Sequence, residues 1–225
     1  MNLTYVNPLQ HYEEPQSVDV TACGNTKFPI QVTNIIDDLY KCCNEFISIS
    51  IEEAMNLENV TVRQFDCTEW FNQRKKRITA SQFARVAKRK KQVNEKFLQS
   101  LFDPKKFSSA ATSYGTANET VAKKQYAEKY KDNHLHDCGL VVNPGFSFLG
   151  ATPDGKLCSN GTTGIIEIKC PYAVRDLKIE EAVVTANFCL QKNGDVLVMN
   201  KGHDHYYQVQ GQLLLSGATF CEFIV

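Results

Sequence analysis

The run Ile165-Ile166-Glu167-Ile168-Lys169-Cys170 constrains this chain more than any other stretch. Its β-branched residues read as a buried strand, yet it carries two charges. In a strand alternate residues share a face, so Glu167 and Lys169 project together while Ile166 and Ile168 enter a core behind them. An acid and a base therefore stand side by side on a rigid element. From about residue 138 onward the pattern is one of short β-like runs, at 140–143, 146–152, 156–158 and 165–170. Turns at Asn143-Pro144-Gly145, Pro153-Asp154-Gly155 and Ser159-Asn160-Gly161 separate them. Helical spacing returns around 175–191 and 205–216, and Phe220 to Val225 reads as a last strand. The chain stops inside that run, and we read it as truncated at its C-terminus.

The first part of the chain is helical in pattern. Residues 1–32, with Pro8, Pro15, Gly24 and Pro29, read as an extended arm. Ile35, Ile36, Leu39, Tyr40, Cys43 and Phe46 recur at helical spacing and predict a scaffold helix. A second helical stretch runs through Val62 and Phe65 to Trp70 and Phe71. Thr79-Ala80-Ser81-Gln82 has the form of a capping box for a helix running to Lys88-Arg89-Lys90-Lys91. Thr116-Ala117-Asn118-Glu119 repeats that form and predicts a helix start there. We divide the chain into an N-terminal arm and scaffold helix, 1–54, and a second domain, 55–225.

Charge narrows the function. The chain is neutral overall, but residues 1–66 carry 10 acids against 3 bases, residues 67–131 carry 5 against 16, and residues 132–225 carry 10 against 6. A strongly basic middle third faces a polyanion, of which nucleic acid is the commonest. No stretch approaches 18 apolar residues and the N-terminus lacks a signal-like pattern, so we expect an intracellular protein without a membrane span. Nine cysteines with no CxxC pair read as reduced core thiols. His134-x-His136-x-Cys138 and His203-x-His205 suggest zinc only weakly and read better as surface turns. Cys170 reads as packed rather than nucleophilic, and Val174, Leu177, Ile179 and Val183 as core.

With Asp154 arriving from the adjacent hairpin, two carboxylates and the Ile168 carbonyl could bind one hard divalent cation, Mg²⁺ or Mn²⁺. Lys169 would adjoin the water such a cation activates, an arrangement suited to phosphodiester hydrolysis. Ser81 sits in a helix's first turn, where backbone N–H groups favour a phosphate, and the basic cluster Arg74-Lys75-Lys76-Arg77 lies just upstream.

In order along the chain, Arg74-x-x-Arg77-Ile78-Thr79-Ala80-Ser81, Gly115-Thr116-x-x-Glu119, Gly150-Ala151-Thr152-Pro153-Asp154-Gly155, Glu167-Ile168-Lys169-Cys170-Pro171 and Tyr207-x-x-Gln210-x-Gln212 resemble the YqaJ-like viral recombinases. That family includes the phage lambda exonuclease and belongs to the PD-(D/E)xK nucleases. The resemblance covers about residues 55 to 225. It implies an α/β (α+β) restriction-endonuclease-like core, a central mixed β-sheet flanked by helices, here with an N-terminal helical extension. It implies an Mg²⁺-dependent deoxyribonuclease, a 5′-to-3′ exonuclease on double-stranded DNA ends, serving recombination, repair or mobile elements. Asp154 and Glu167 would be metal ligands, Lys169 would act on the water, and Glu119 would be a supporting acid closing the metal site. Arg74, Arg77 and Ser81 would bind DNA and its 5′ phosphate. Tyr207 and Gln210 would line the active-site edge, with Gln212 beside them. The ring-like trimer of phage members makes a homo-oligomer an expectation. Some members carry a further acid before the Asp154 turn, and Val141 to Phe148 supplies none, which bears on a second metal. The alternatives are an inactive DNA-binding module on the same fold and a structure-specific endonuclease.

Overall fold

The computed structural model describes residues 5–6, 47–104, 109–159 and 161–225. The scaffold helix expected at 35–46 and most of the arm lie outside the described residues. Ser50 caps helix α1 (Ile51–Val60) with a capping box to Glu53. A 3-10 turn (Gln64–Asp66) then leads into α2 (Thr68–Arg74). Short elements follow: strand β2 (Ile78–Thr79), a 3-10 turn (Ala80–Gln82) and α3 (Phe83–Ala87). Next come α4 (Glu95–Phe102) and the 20-residue α5 (Ala110–Lys129).

The second half builds the sheet. Its strands, counting Tyr5–Val6 as β1, are β3 (His134–His136), β5 (Gly155–Ser159), β6 (Thr162–Ile168) and β9 (Phe220–Ile224), in the order β1-β9-β6-β5-β3. β6 and β9 are parallel and the other pairs antiparallel, so the sheet is mixed. β4 (Leu149–Gly150) pairs in parallel with β2 apart from it. Between β6 and β9 lie α6 (Ile179–Ala182), the hairpin of β7 (Leu190–Asn193) with β8 (Val196–Met199), and α7 (Asp204–Ser216).

β6 separates two cores by its period of two. Ile166 and Ile168 pack with Leu157, Ile224 and the α5 residues Ala122 and Tyr126. Ile165 faces the other way, among Cys221, Phe223 and the α7 residues Val209 and Leu215. Each such fully buried aliphatic contributes about 1.5–3 kcal/mol, which fixes the register and with it the face on which Glu167 emerges. α7 comes close to the 3-10 turn before α3 because Gly211 has no side chain; a Cβ there would lie 2.5 Å from the Phe83 ring.

Several expected elements differ. The helix expected at Thr116 starts earlier, since Ser109 makes the capping box with Thr112 and places Thr116 inside α5. The expected strand at 140–143 is a single bridge, Val141 to Ala151, and 146–152 is a 3-10 turn (Pro144–Phe146) followed by the two-residue β4. The helix expected over 175–191 is only α6, and the rest leads into the β7–β8 hairpin. Its two-residue loop Gly194-Asp195 has Gly194 at φ 61°, the glycine-first form that tight hairpins favour. Cys138, Cys189 and Cys221 are buried free thiols, while Cys23, Cys42 and Cys43 lie outside the described residues. No helix among the described residues is long and apolar enough to cross a membrane.

Candidate active site

Glu167 leaves β6 on the α7 face and is 1% exposed. A carboxylate so deep is costly unless its lone pairs are met, and here both oxygens are. Lys169 Nζ lies 2.5 Å from Oε1 and Gln208 Nε2 donates to the same oxygen at 2.5 Å; Gln212 Nε2 donates to Oε2 at 2.6 Å. Lys169 lies one residue past β6, but its N–H donates to the Ile224 carbonyl at 2.8 Å. The ladder thus continues and keeps Lys169 on the face of Glu167.

Asp154 is fixed from three sides. Its N–H donates to the Ile166 carbonyl at 3.0 Å, its Oδ2 accepts from the Ile168 N–H at 2.6 Å, and its carbonyl accepts from Lys123 Nζ at 2.6 Å. Lys123 and Glu119 are one helical turn apart on α5. Glu119 lines the same cleft, of about 360 Å³, as Asp154 and Ile168. Lys169 and Cys170 instead line a second cleft, of about 340 Å³, with Tyr114, Phe188 and Val225. The end of β6 is therefore a ridge between two openings.

The electrostatics are those of acids crowded around one lysine. Burial and the neighbouring Glu167 push Asp154 up to about 8, against the pull of Lys169. Burial also raises Glu119, opposed by Lys169 and reinforced by Glu167. Burial alone would lower Lys169, but Glu167, Asp154 and Glu119 outweigh it and hold the ammonium charged. Lys169 thus stands here as a cation. Crowded hard oxygen donors fit a hard divalent ion. Among the described residues no three His, Cys, Asp or Glu side chains are gathered so as to hold a metal. Asp154, Glu167 and the Ile168 carbonyl are the groups that could hold such an ion with solvent, and Glu119 lines the same cleft as Asp154 and Ile168.

The phosphate-binding candidates divide. Arg74 Nη1 donates to Thr152 Oγ1 at 3.3 Å and its guanidinium lies 4.1 Å from the Trp70 ring centroid, beside the segment that ends in Asp154. Burial lowers its pKa to about 10, leaving it charged at neutral pH. Ser81 is exposed, 3.1 Å from Thr79 Oγ1, and Thr79 is in register with Gly150. The helix it opens is only a 3-10 turn and the five-residue α3, so the dipole adds little and the hydroxyl is what remains. Arg77 is a correction: it is 3% exposed, with Nε donating to the Ser147 carbonyl at 2.8 Å and Nη1 to the Gln73 carbonyl at 3.1 Å. It is a strut joining α2 to the β4 segment, not a surface cation. Tyr207 stacks under Lys88, whose Nζ lies 5.0 Å from the ring centroid.

α7 brings the expected Gln212 to the site, and with it Gln208, which the sequence motifs do not single out. Gln208 and Gln212, four apart, share the face that meets Glu167, while Gln210 is turned about 200° from Gln208 at 100° per residue and makes none of these bonds. His205, three before Gln208, is not on a surface turn: it packs against Phe223 at 6.1 Å, and burial with the Lys169 charge lowers it to about 3. His203 caps α7 by accepting the His205 N–H. Among the described residues no zinc cluster forms around His134, His136, Cys138, His203 and His205. Burial and Glu119 raise Cys170 to about 11, which suits a packed thiol. Val174, Ile179 and Val183 pack on the core, whereas Leu177 is exposed at the second cleft. A 3.6-residue period anchored on the apolar Val209 would have placed Gln208 and Gln212 together.

A central mixed sheet flanked by helices defines a restriction-endonuclease-like fold. The model of the YqaJ-like viral recombinase domain matches residues 69–219, more than half of the chain, and the chain belongs to that family. It is 29% identical over 104 residues to the alkaline nuclease of Orgyia pseudotsugata multicapsid polyhedrosis virus, a match spanning 40% of this chain and 24% of that protein. It thus spans about a quarter of that relative's length. Among solved structures it is similar to LHK-Exo in complex with dAMP, with a TM-score of 0.50, 29% identity, and coverage of 69% of this chain and 71% of that one. The alkaline exonuclease LHK-Exo from Laribacter hongkongensis aligns over the same shares at 26% identity and a TM-score of 0.47.

Proposed function

We propose that the chain is a divalent-cation-dependent deoxyribonuclease, with residues 55–225 as its catalytic domain, that degrades double-stranded DNA from a 5′ end. The observation that carries this reading is the meeting of Asp154, Glu167 and Lys169 at the end of β6. Mg²⁺ or Mn²⁺ held there would lower the pKa of a water and offset charge developing on the phosphate. Asp154 and Glu167 hold their carboxylates fixed at one strand end. Lys169, a cation flanking them, orients the attacking water and stabilises negative charge in the transition state. Arg74, braced by Thr152 and Trp70, offers a guanidinium fork to a terminal phosphate, which bears more charge than an internal diester, and the Ser81 hydroxyl adds a donor.

The family, the alkaline nuclease relative and the exonuclease crystallised with dAMP support DNA cleavage and release of nucleotides. An inactive binding module is less well supported, because crowded buried acids cost stability and binding alone does not require them. Digestion of 5′-labelled duplex with Mg²⁺ should release mononucleotides from the labelled end, and EDTA or Glu167→Ala should stop it. Full activity in EDTA would refute the mechanism, and internal fragments in place of mononucleotides would make the enzyme an endonuclease.

A further inference from the structure

We propose that Gln208 and Gln212 are positioning residues, an amide clamp from α7 that fixes the plane of the Glu167 carboxylate for a divalent cation. The inference rests on the cation-dependent reading above. Residues four apart on a helix lie one above the other on the same face. Here each directs Nε2 at a different oxygen of one carboxylate, at 2.5 Å and 2.6 Å. The amide orientation is forced, since turning either group over would set its carbonyl oxygen against a carboxylate oxygen, acceptor against acceptor.

Gln212 shows how strongly. It is 1% exposed, and with its nitrogen committed to Glu167 its Oε1 is left buried without a partner. The structure leaves a buried acceptor unmet and keeps the bond to Glu167. α7 is a firm base for the pair, because Gly211 lets it sit against Phe83 and Ala80.

The clamp differs in kind from the Lys169 contact. Lysine neutralises the carboxylate it touches and reaches it on a flexible stem, so it can withdraw as a cation arrives. Amides are neutral donors. They hold both oxygens in place and leave the negative charge available to a metal, as outer hydrogen bonds do in metal sites generally.

Gln208 is only half-buried, so Gln208→Met keeps length and bulk and removes the donor. The test is Mn²⁺ binding to the full chain, followed by the electron paramagnetic resonance of free Mn²⁺, beside thermal melts in EDTA. Gln208→Met should bind Mn²⁺ about 10- to 100-fold more weakly with nearly unchanged metal-free melting. Its cleavage should need more Mn²⁺ and recover at saturation. Gln212→Met should behave alike where it folds, and Gln208→Met carries the test alone where it does not. Affinity within about twofold of wild type, or a kcat loss that saturating Mn²⁺ leaves unrestored, would overturn the clamp. A wild-type chain that binds no Mn²⁺ would instead overturn the cation-dependent reading itself.

Discussion

Asp154→Asn should make the metal-free protein more stable while abolishing cleavage. Burial and Glu167 push Asp154 up to about 8 from an ordinary value of 3.8. A carboxyl raised in the folded state favours the protonated form there. Its contribution to stability is fully present below the unfolded pKa near 4 and is lost as pH rises to the folded value near 8. At about 1.36 kcal/mol for each pKa unit, the loss is on the order of 4 kcal/mol at pH 7 and on the order of 2 kcal/mol at pH 5. Asn is neutral at both, and its carbonyl can still accept the Ile168 N–H. For a chain of this size each kcal/mol moves the melting temperature by about 2–4 °C. Asp154→Asn should therefore melt roughly 8–16 °C above wild type at pH 7 in EDTA, and roughly 4–8 °C above it at pH 5. Thermal melts followed by circular dichroism measure this directly. Mg²⁺ should raise wild type and leave the variant nearly unmoved. A variant no more stable than wild type at pH 7, or a gain equal at both pH values, would refute the crowding of acids from which the magnitude comes.

Two further substitutions separate chemistry from binding. Lys169→Ala should lower the single-turnover rate at saturating DNA by about 10² or more with little change in DNA affinity; a variant that loses affinity and rate in proportion, with normal single-turnover chemistry, would make Lys169 a DNA contact only. Wild type should degrade duplex bearing a 5′ phosphate faster than the same duplex with a 5′ hydroxyl, and Arg74→Ala should erase most of that preference. Equal wild-type rates on the two ends would remove the proposed phosphate grip, while uniform weakening with a smaller salt slope would make Arg74 a nonspecific backbone contact.

The sheet was legible where sequence carries local information. The β-branched run around Glu167 and the final Phe220 to Ile224 run became β6 and β9 because their residues are buried on both faces or alternate between them. The β7–β8 hairpin was missed although Asn193-Gly194 stands between two apolar runs. Its strands are four residues long, and the i, i+4 spacing of Ile179 and Val183 just before them suits a helix, which the expectation extended to residue 191. α5 misled in another way. Ser109-x-x-Thr112 and Thr116-x-x-Glu119 are both plausible caps, and only the first has the extended backbone at its cap.

The site shows a similar division between what a pattern can carry and what only packing decides. That Asp154, Glu167 and Lys169 lie together could be expected from spacing, because a strand sets faces by counting and a tight bend brings the preceding acid alongside. Arg77 could not be sorted from Arg74 that way. Both lie in one basic cluster, and whether a guanidinium binds a ligand or its own chain depends on which backbone carbonyls come within reach. Residue 77 follows α2 and meets the Ser147 and Gln73 carbonyls, while residue 74 meets a hydroxyl and an aromatic face at the Asp154 segment. Gln208 escaped for a related reason. Its partner lies 41 residues away, and its face on α7 follows from which apolar neighbours, Val209 and Leu215 among them, turn toward the sheet. An amide has no charge to draw the eye in a sequence, yet it is the group that can hold a buried carboxylate still without cancelling the charge the chemistry needs.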